Sequence, residues 1–173
     1  MNKLIEYIDT LDLTITQDLF DRHDEEYATT KSGYSSRANL DSEYLEDMVC
    51  EEVKGAEAIT TKPDRFLADV RYKDMVIDFK EIASAYHNLQ HDYLRYIEAA
   101  AKGQLTHFLY FKSNRERYGS NMPDVIPVGY NLQFEFLGIY DVNTVMSNIS
   151  TGGKHGKINV YNLGDNYGGW KYN

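Results

Sequence analysis

Asp69, Asp78 and Lys80 are the residues whose types and spacing could do chemistry together. Residues 65–72 read as a strand, Lys73-Asp74 as a polar turn, and Met75 to Ile82 as the returning strand, so the segment predicts a β-hairpin. That register sets Asp69 nearly opposite Asp78, where Cβ atoms of an antiparallel pair lie about 4.5–5.5 Å apart. Lys80 is two residues from Asp78 and shares its face. Two carboxylates this close repel, and one raises its pKa. A hard divalent cation such as Mg²⁺ relieves that repulsion through oxygen coordination. A bound cation of this kind also lowers the pKa of a water and stabilises charge building on phosphorus. Lys80 could orient that water or stabilise charge directly. Asp78 and Lys80 interrupt the apolar run Met75, Val76, Ile77, Phe79, Ile82, which is not the pattern of a merely solvated strand.

These groups need elements to hold them. Asp41 to Gly55 predicts a helix, with Asp41 or Ser42 as its cap and Gly55 as its left-handed stop. Leu45, Met48, Val49, Val53 and Ala56 give it an apolar stripe that Glu46 borders, with Val49, Cys50 and Val53 at +3, +4 and +7. A β-prone stretch follows at 58–61, then the hairpin. A second helix is expected over 86–102, ended by Gly103, and a buried strand over 106–111. Lys112 to Asp124 reads as a polar loop, 134–140 as a strand, 141 to about 149 as a short helix, and 158–161 as a final strand. Upstream, Leu4-Ile5-Tyr7-Ile8-Leu11 has helical spacing, and Thr29 to Ser36 reads as a loop. The expected class is α/β, a mixed central β-sheet flanked by helices.

The chain has 173 residues, which suits one domain, and its 42% apolar content can fill a core. A net charge of −9 argues against a protein that coats nucleic acid through a basic face. It leaves room for an enzyme whose acids are neutralised by a cation. A single cysteine, Cys50, excludes an intrachain disulfide and a thiolate zinc site, and reads as a small core residue. No cationic, apolar leader and no apolar run near the ~20 residues of a membrane span is found, so a cytoplasmic, membrane-free protein is expected.

The stretch Asp69…Asp78-Phe79-Lys80 resembles the PD-(D/E)XK nuclease superfamily, and the hairpin from Ala68 to Lys80 is similar to that of junction resolvases. Leu45-Glu46-Asp47-Met48-Val49 is similar to the glutamate-bearing helix of phage junction-resolving endonucleases. The resemblance covers residues 41–111, less than half the chain. It implies a restriction-endonuclease-like core ordered helix, three strands, helix, strand (αβββαβ), with a helical addition at 1–36 and a strand and helix addition at 125–173. It implies Asp69 and Asp78 as metal carboxylates, Glu46 as the helix-borne glutamate that contacts metal or supports Lys80, and Lys80 as the catalytic lysine. The implied cofactor is Mg²⁺, with Mn²⁺ as a substitute. The implied activity is DNA endonuclease chemistry leaving 5′-phosphate and 3′-hydroxyl ends, by a homodimer. Two departures leave alternatives open. The literal Pro-Asp pair is Pro63-Asp64, ahead of the strand, so Asp64 rivals Asp69; Glu52 also interrupts the apolar stripe and rivals Glu46.

Gln90 near the second helix's start and Lys112 and Arg115 after the buried strand are candidates for substrate phosphates, with Arg117 nearby. His87, His91 and Asp92 share that helix start, and His107 reads as a core or edge residue. Gly152-Gly-Lys-His-Gly-Lys157 lacks the Walker pattern, which removes nucleotide hydrolysis. Tyr161, Tyr167, Trp170 and Tyr172 could stack bases or pack on a second subunit. The rival class is a non-catalytic acidic mimic of nucleic acid, or a binding subunit on a nuclease-like scaffold.

Overall fold

A computed structural model describes residues 2–22, 40–60, 67–82, 86–89, 92–115, 126–149 and 156–163. Helix α1 (Asn2–Thr10) buries Leu4 and Ile8, one turn apart, and runs into strand β1 (Asp12–Thr14). Helix α2 is described over residues 17–22, with the Thr16 hydroxyl accepting from the Leu19 N–H. Helix α3 (Leu40–Glu52) carries Asp41 and Glu43 in its first turn, where carboxylates favour the helix dipole. It buries Tyr44, Leu45, Met48 and Val49. Gly55, at φ 91°, turns the chain into β2 (Ala56–Ala58), as its position after the stripe predicts.

Strands β3 (Val70–Tyr72) and β4 (Met75–Glu81) form the expected hairpin across Lys73-Asp74. Strand β5 (Tyr86–Asn88) and helix α4 (Tyr93–Ala101) follow. Strand β6 (His107–Ser113) leads through the chain to β7 (Asn131–Asp141). Helix α5 (Val142–Ser147) is capped by Asp141, whose side chain accepts from the Asn143 and Thr144 N–H groups. Strand β8 (Lys157–Asn159) and a 3₁₀ turn (Val160–Leu163) complete the described elements.

The architecture is mixed α/β. Six strands form one sheet in the order β1-β7-β6-β4-β3-β2, and β5 pairs with β8 in a second. Within the large sheet β4 and β6 are parallel and the other pairs antiparallel. The parallel pair needs a crossover, and α4 lies on it. Two apolar clusters cover the two faces. Ile77, Phe79, Leu109 and Phe111 pack with α1 and α3, whereas Phe108, Tyr110 and Tyr140 pack with α4 and α5. Strand alternation therefore sends Asp78 and Lys80 to the α4 side.

Several expected boundaries move. The strand expected over 65–72 is only Val70–Tyr72, because Leu67 and Ala68 turn into the second cluster and the Asp69 carboxylate takes over a ladder contact. The β-prone stretch lies at 56–58, directly after Gly55, where it pairs with Val70–Tyr72. The helix expected from 86 starts at Tyr93. Residues 86–88 pair instead with 157–159, and Leu89 N–H donates to Gly156 O at 3.0 Å. The N-terminal addition is not wholly helical, since β1 joins the sheet beside β7. The strand expected over 106–111 continues through Lys112 and Ser113. The last expected strand stops at Asn159, whose side chain accepts from the Tyr161 N–H at 3.1 Å and starts the 3₁₀ turn. Among the described residues no helix is long and apolar enough to cross a membrane.

Candidate functional site

The site begins where the hairpin opens. Asp69 N–H still donates to Ile77 O at 2.8 Å, but the next contact uses the side chain: Phe79 N–H donates to Asp69 Oδ2 at 2.7 Å. This exchange of a backbone acceptor for a carboxylate pins Asp69 across the mouth of the hairpin, beside Asp78. The two carboxyl groups are close enough for Asp78 to raise the Asp69 pKa. Asp69 and Asp78 thus meet, as the register requires, rather than splaying to opposite faces.

Lys80 Nζ lies 2.8 Å from Asp78 Oδ1, with Asp78 buried and the lysine side chain 29% exposed. On its other side the ammonium sits 5.8 Å from the Tyr96 ring centroid. Burial opposes the charge on Lys80, but Asp78, Tyr96 and Asp69 outweigh it and hold the group protonated well past the ordinary lysine range. Behind Lys80 lies a packed aromatic set. His87 is edge-on to Phe108 at 5.2 Å, and its Nδ1 is 2.9 Å from the Tyr110 hydroxyl. Burial, then Lys80, push His87 down to about 3, so the ring is neutral at ordinary pH.

Glu46 arrives from α3. The Ser42 hydroxyl, one turn earlier, donates to its Oε1 at 2.8 Å. Burial raises the Glu46 pKa, the Ser42 bond and Lys80 oppose this, and Glu43 and Asp78 add to it, leaving it at about 8. Asp69 is likewise pushed well above the carboxylate range by burial, then by Glu46 and Asp78. Ser42, Glu43, Glu46, Asp69, Asp78, Phe79, Lys80 and Glu81 line one cleft of about 240 Å³. Five carboxyl side chains therefore face a single lysine, and burial makes that imbalance costly.

Glu46, Asp69 and Asp78 are oxygen donors of the kind a hard cation takes. Among the described residues, however, no group of three or more His, Cys, Asp or Glu side chains forms a ready-made metal cage. The contacts explain the spacing: Phe79 N–H holds one Asp69 oxygen, Lys80 one Asp78 oxygen and Ser42 one Glu46 oxygen. Burial and mutual repulsion raise the pKa values of Asp69 and Glu46, and a bound cation would relieve that repulsion.

The other sequence candidates fare differently. Glu52 is exposed at the end of α3 and does not line the cleft. Asp64, Gln90, His91, Arg117, Lys154, His155, Tyr167, Trp170 and Tyr172 lie outside the described residues. Lys112 sits 5.0 Å over the Tyr161 ring, which is half exposed. Arg115, expected on a loop open to phosphates, is instead buried against Asp41, because the chain after β6 folds onto the start of α3. His107 is half-buried on the interior strand β6, paired with Ile77 on one side and Asp141 on the other, with its Nδ1 2.8 Å from the Thr106 hydroxyl. Cys50 is half buried, its thiol pushed up to about 11 by burial and by Asp47 and Glu46, which makes it a poor nucleophile. Sequence reasoning missed Tyr96 and Ser42 as partners of Lys80 and Glu46. The i, i+4 spacing of Ser42 and Glu46 was a readable signal; nothing local pairs Tyr96 with Lys80.

Comparison with family models, with curated proteins and with solved structures returns no match to this chain.

Proposed function

We propose that this chain is a divalent-metal-dependent nuclease that hydrolyses DNA phosphodiester bonds in the Glu46–Asp69–Asp78–Lys80 cleft. One observation carries the reading: acids from α3 and from both strands of one hairpin meet a lysine in a cleft, with Glu46 pushed up to about 8 by burial and its acidic neighbours. Such an arrangement costs stability without a cation and gains it with one. The order α3, β2, β3, β4, α4, β6, with β5 inserted, resembles the αβββαβ core of PD-(D/E)XK nucleases, and this supports the same reading.

Asp69 and Asp78 would hold Mg²⁺ or Mn²⁺, with Glu46 as the third acid. The bound ion supplies an acidified water and neutralises charge on the phosphate. Lys80, kept charged by Asp78 and Tyr96, stabilises negative charge on the phosphate oxygens and orients the attacking water. Tyr96 and the neutral His87–Tyr110 pair wall off the inner side of Lys80 from water. Cutting both strands of a duplex calls for two such sites, and a homodimer supplies them.

A second reading is a non-catalytic acidic binding subunit. The net charge of −9 and the lack of a ready-made cage among the described residues favour it. Incubation with linear, supercoiled, single-stranded and branched DNA, with Mg²⁺, Mn²⁺ or EDTA, separates the two. The nuclease cuts at least one substrate only with metal, and Lys80→Ala, folded by circular dichroism, loses on the order of 10²–10³-fold in rate. No cleavage and no Mn²⁺ binding would sink the enzyme reading.

A further inference from the structure

The Arg115–Asp41 pair is the most deeply buried ion pair described: Nη1 and Oδ1 are 2.6 Å apart, with side chains 3% and 0% exposed. Ser113 Oγ lies against Asp41 Oδ2 and also 2.9 Å from Glu81 Oε1, and it accepts from the Arg115 N–H at 3.3 Å. Glu81 lines the acidic cleft. Asp41 stands in the first turn of α3, directly before Ser42, whose hydroxyl holds Glu46. A continuous set of contacts thus runs from the end of β6, through the start of α3, to the cleft.

We propose that Arg115, with Asp41 and Ser113, is a positioning device that fixes the rotation of α3 and so holds Glu46 toward Asp69 and Asp78. The proposal rests on the nuclease reading for the use of Glu46, but its geometric content stands apart from it. The apolar stripe of α3 decides which face is buried, and hydrophobic contact is non-directional, so it tolerates small turns and slides of the helix. A guanidinium and a hydroxyl, one on each oxygen of a carboxylate in the first turn, do not. Each residue step along a helix turns the side chain by about 100°. A slip of one position would take Glu46 off the cleft. A buried ion pair is a poor way to gain stability, because an apolar pair of equal volume does as well or better. What the charges add here is direction.

The test uses the full chain carrying Asp41→Asn with Arg115→Met, a pair that keeps the approximate size of each side chain and removes both charges together. Arg115→Lys is the companion variant, which retains the charge and loses the planar guanidinium. Folding is followed by urea denaturation, the cleft by Mn²⁺ titration calorimetry, and α3 by amide hydrogen exchange at residues 42–46. The expected result is a double variant with near-parent folding, Mn²⁺ affinity lowered about 10–100-fold, and faster exchange at 42–46. Arg115→Lys should fall between parent and double variant on both readouts. Parent-like Mn²⁺ affinity and parent-like exchange in a folded variant would overturn the proposal. Should the double variant fail to fold, Arg115→Lys decides alone by the same two readouts. If the parent binds no Mn²⁺, the nuclease reading falls, and the exchange at 42–46 still decides whether the pair fixes α3.

Discussion

The Arg115–Asp41 and Lys80–Asp78 pairs stand at opposite ends of one network, and their surroundings differ. Arg115 and Asp41 are sealed from water, one cation to one carboxylate, with Ser113 meeting the second oxygen. Lys80 and Asp78 border an open cleft, where the lysine is 29% exposed and also meets the field of Asp69 and Glu46. The first pair sets a guanidinium directly against a carboxylate. In the second region acids outnumber the one lysine, and burial with mutual repulsion raises the pKa values of Glu46 and Asp69. The difference separates a charge pair that serves architecture from a charge surplus that folding alone does not explain. A surplus of negative charge at a cleft mouth is stable only with protons or a cation.

Breaking the balanced pair on one side should give the larger effect. Arg115→Ala leaves the buried Asp41 carboxylate without its guanidinium, and the expected loss is about 3–5 kcal/mol, read from urea denaturation. A loss under about 1 kcal/mol would mean that water reaches Asp41 and that the two regions are alike.

The unbalanced region should respond to pH in the opposite sense from an ordinary salt bridge. Glu46 and Asp69 have folded-state pKa values raised above their unfolded ones. The stability they contribute is complete below the unfolded carboxyl range and is lost as pH rises, for Glu46 between 4.5 and about 8. The thermal midpoint in EDTA should therefore fall from pH 5 to pH 8.5. Mg²⁺ should offset most of that fall, because it binds the deprotonated form. Asp69→Asn, which cannot ionise, should raise the midpoint in EDTA at pH 8 and remove the Mg²⁺ response. A midpoint that is flat with pH in EDTA would show that the acids are not under strain.

The smallest effect is a control on the hairpin itself. Lys73 adopts φ 56° in the turn, a conformation glycine takes without a Cβ penalty. Lys73→Gly should change stability by less than about 1 kcal/mol and leave the pH slope untouched. A changed slope would mean that the turn transmits strain to the acid end, and the contrast between the regions would need redrawing.

The hairpin acids were legible because strand periodicity and a two-residue turn are local. With Lys73-Asp74 recognised, the pairing of 69 with 78 and the shared face of 78 and 80 follow. Glu46 was legible at one remove, from its place beside an apolar helical stripe. The start of α4 was misread because residues 86–88 look helical by themselves. Their strand character comes from Lys157–Asn159, roughly 70 positions away. Arg115 was misread for the same reason: a polar residue after a strand looks exposed until the start of α3 covers it.

The sequence by itself determined which segments are amphipathic, where glycines stop helices, and which hairpin face carries Asp78 and Lys80, because each depends on neighbours within a few residues. Only the tertiary structure decided that α3 brings Glu46 to that hairpin, that Tyr96 flanks Lys80, and that Arg115 is buried on Asp41. Those outcomes depend on burial and charge between segments far apart in the chain, where a side chain's surroundings, and hence its pKa and role, are set by the partner and not by the local pattern.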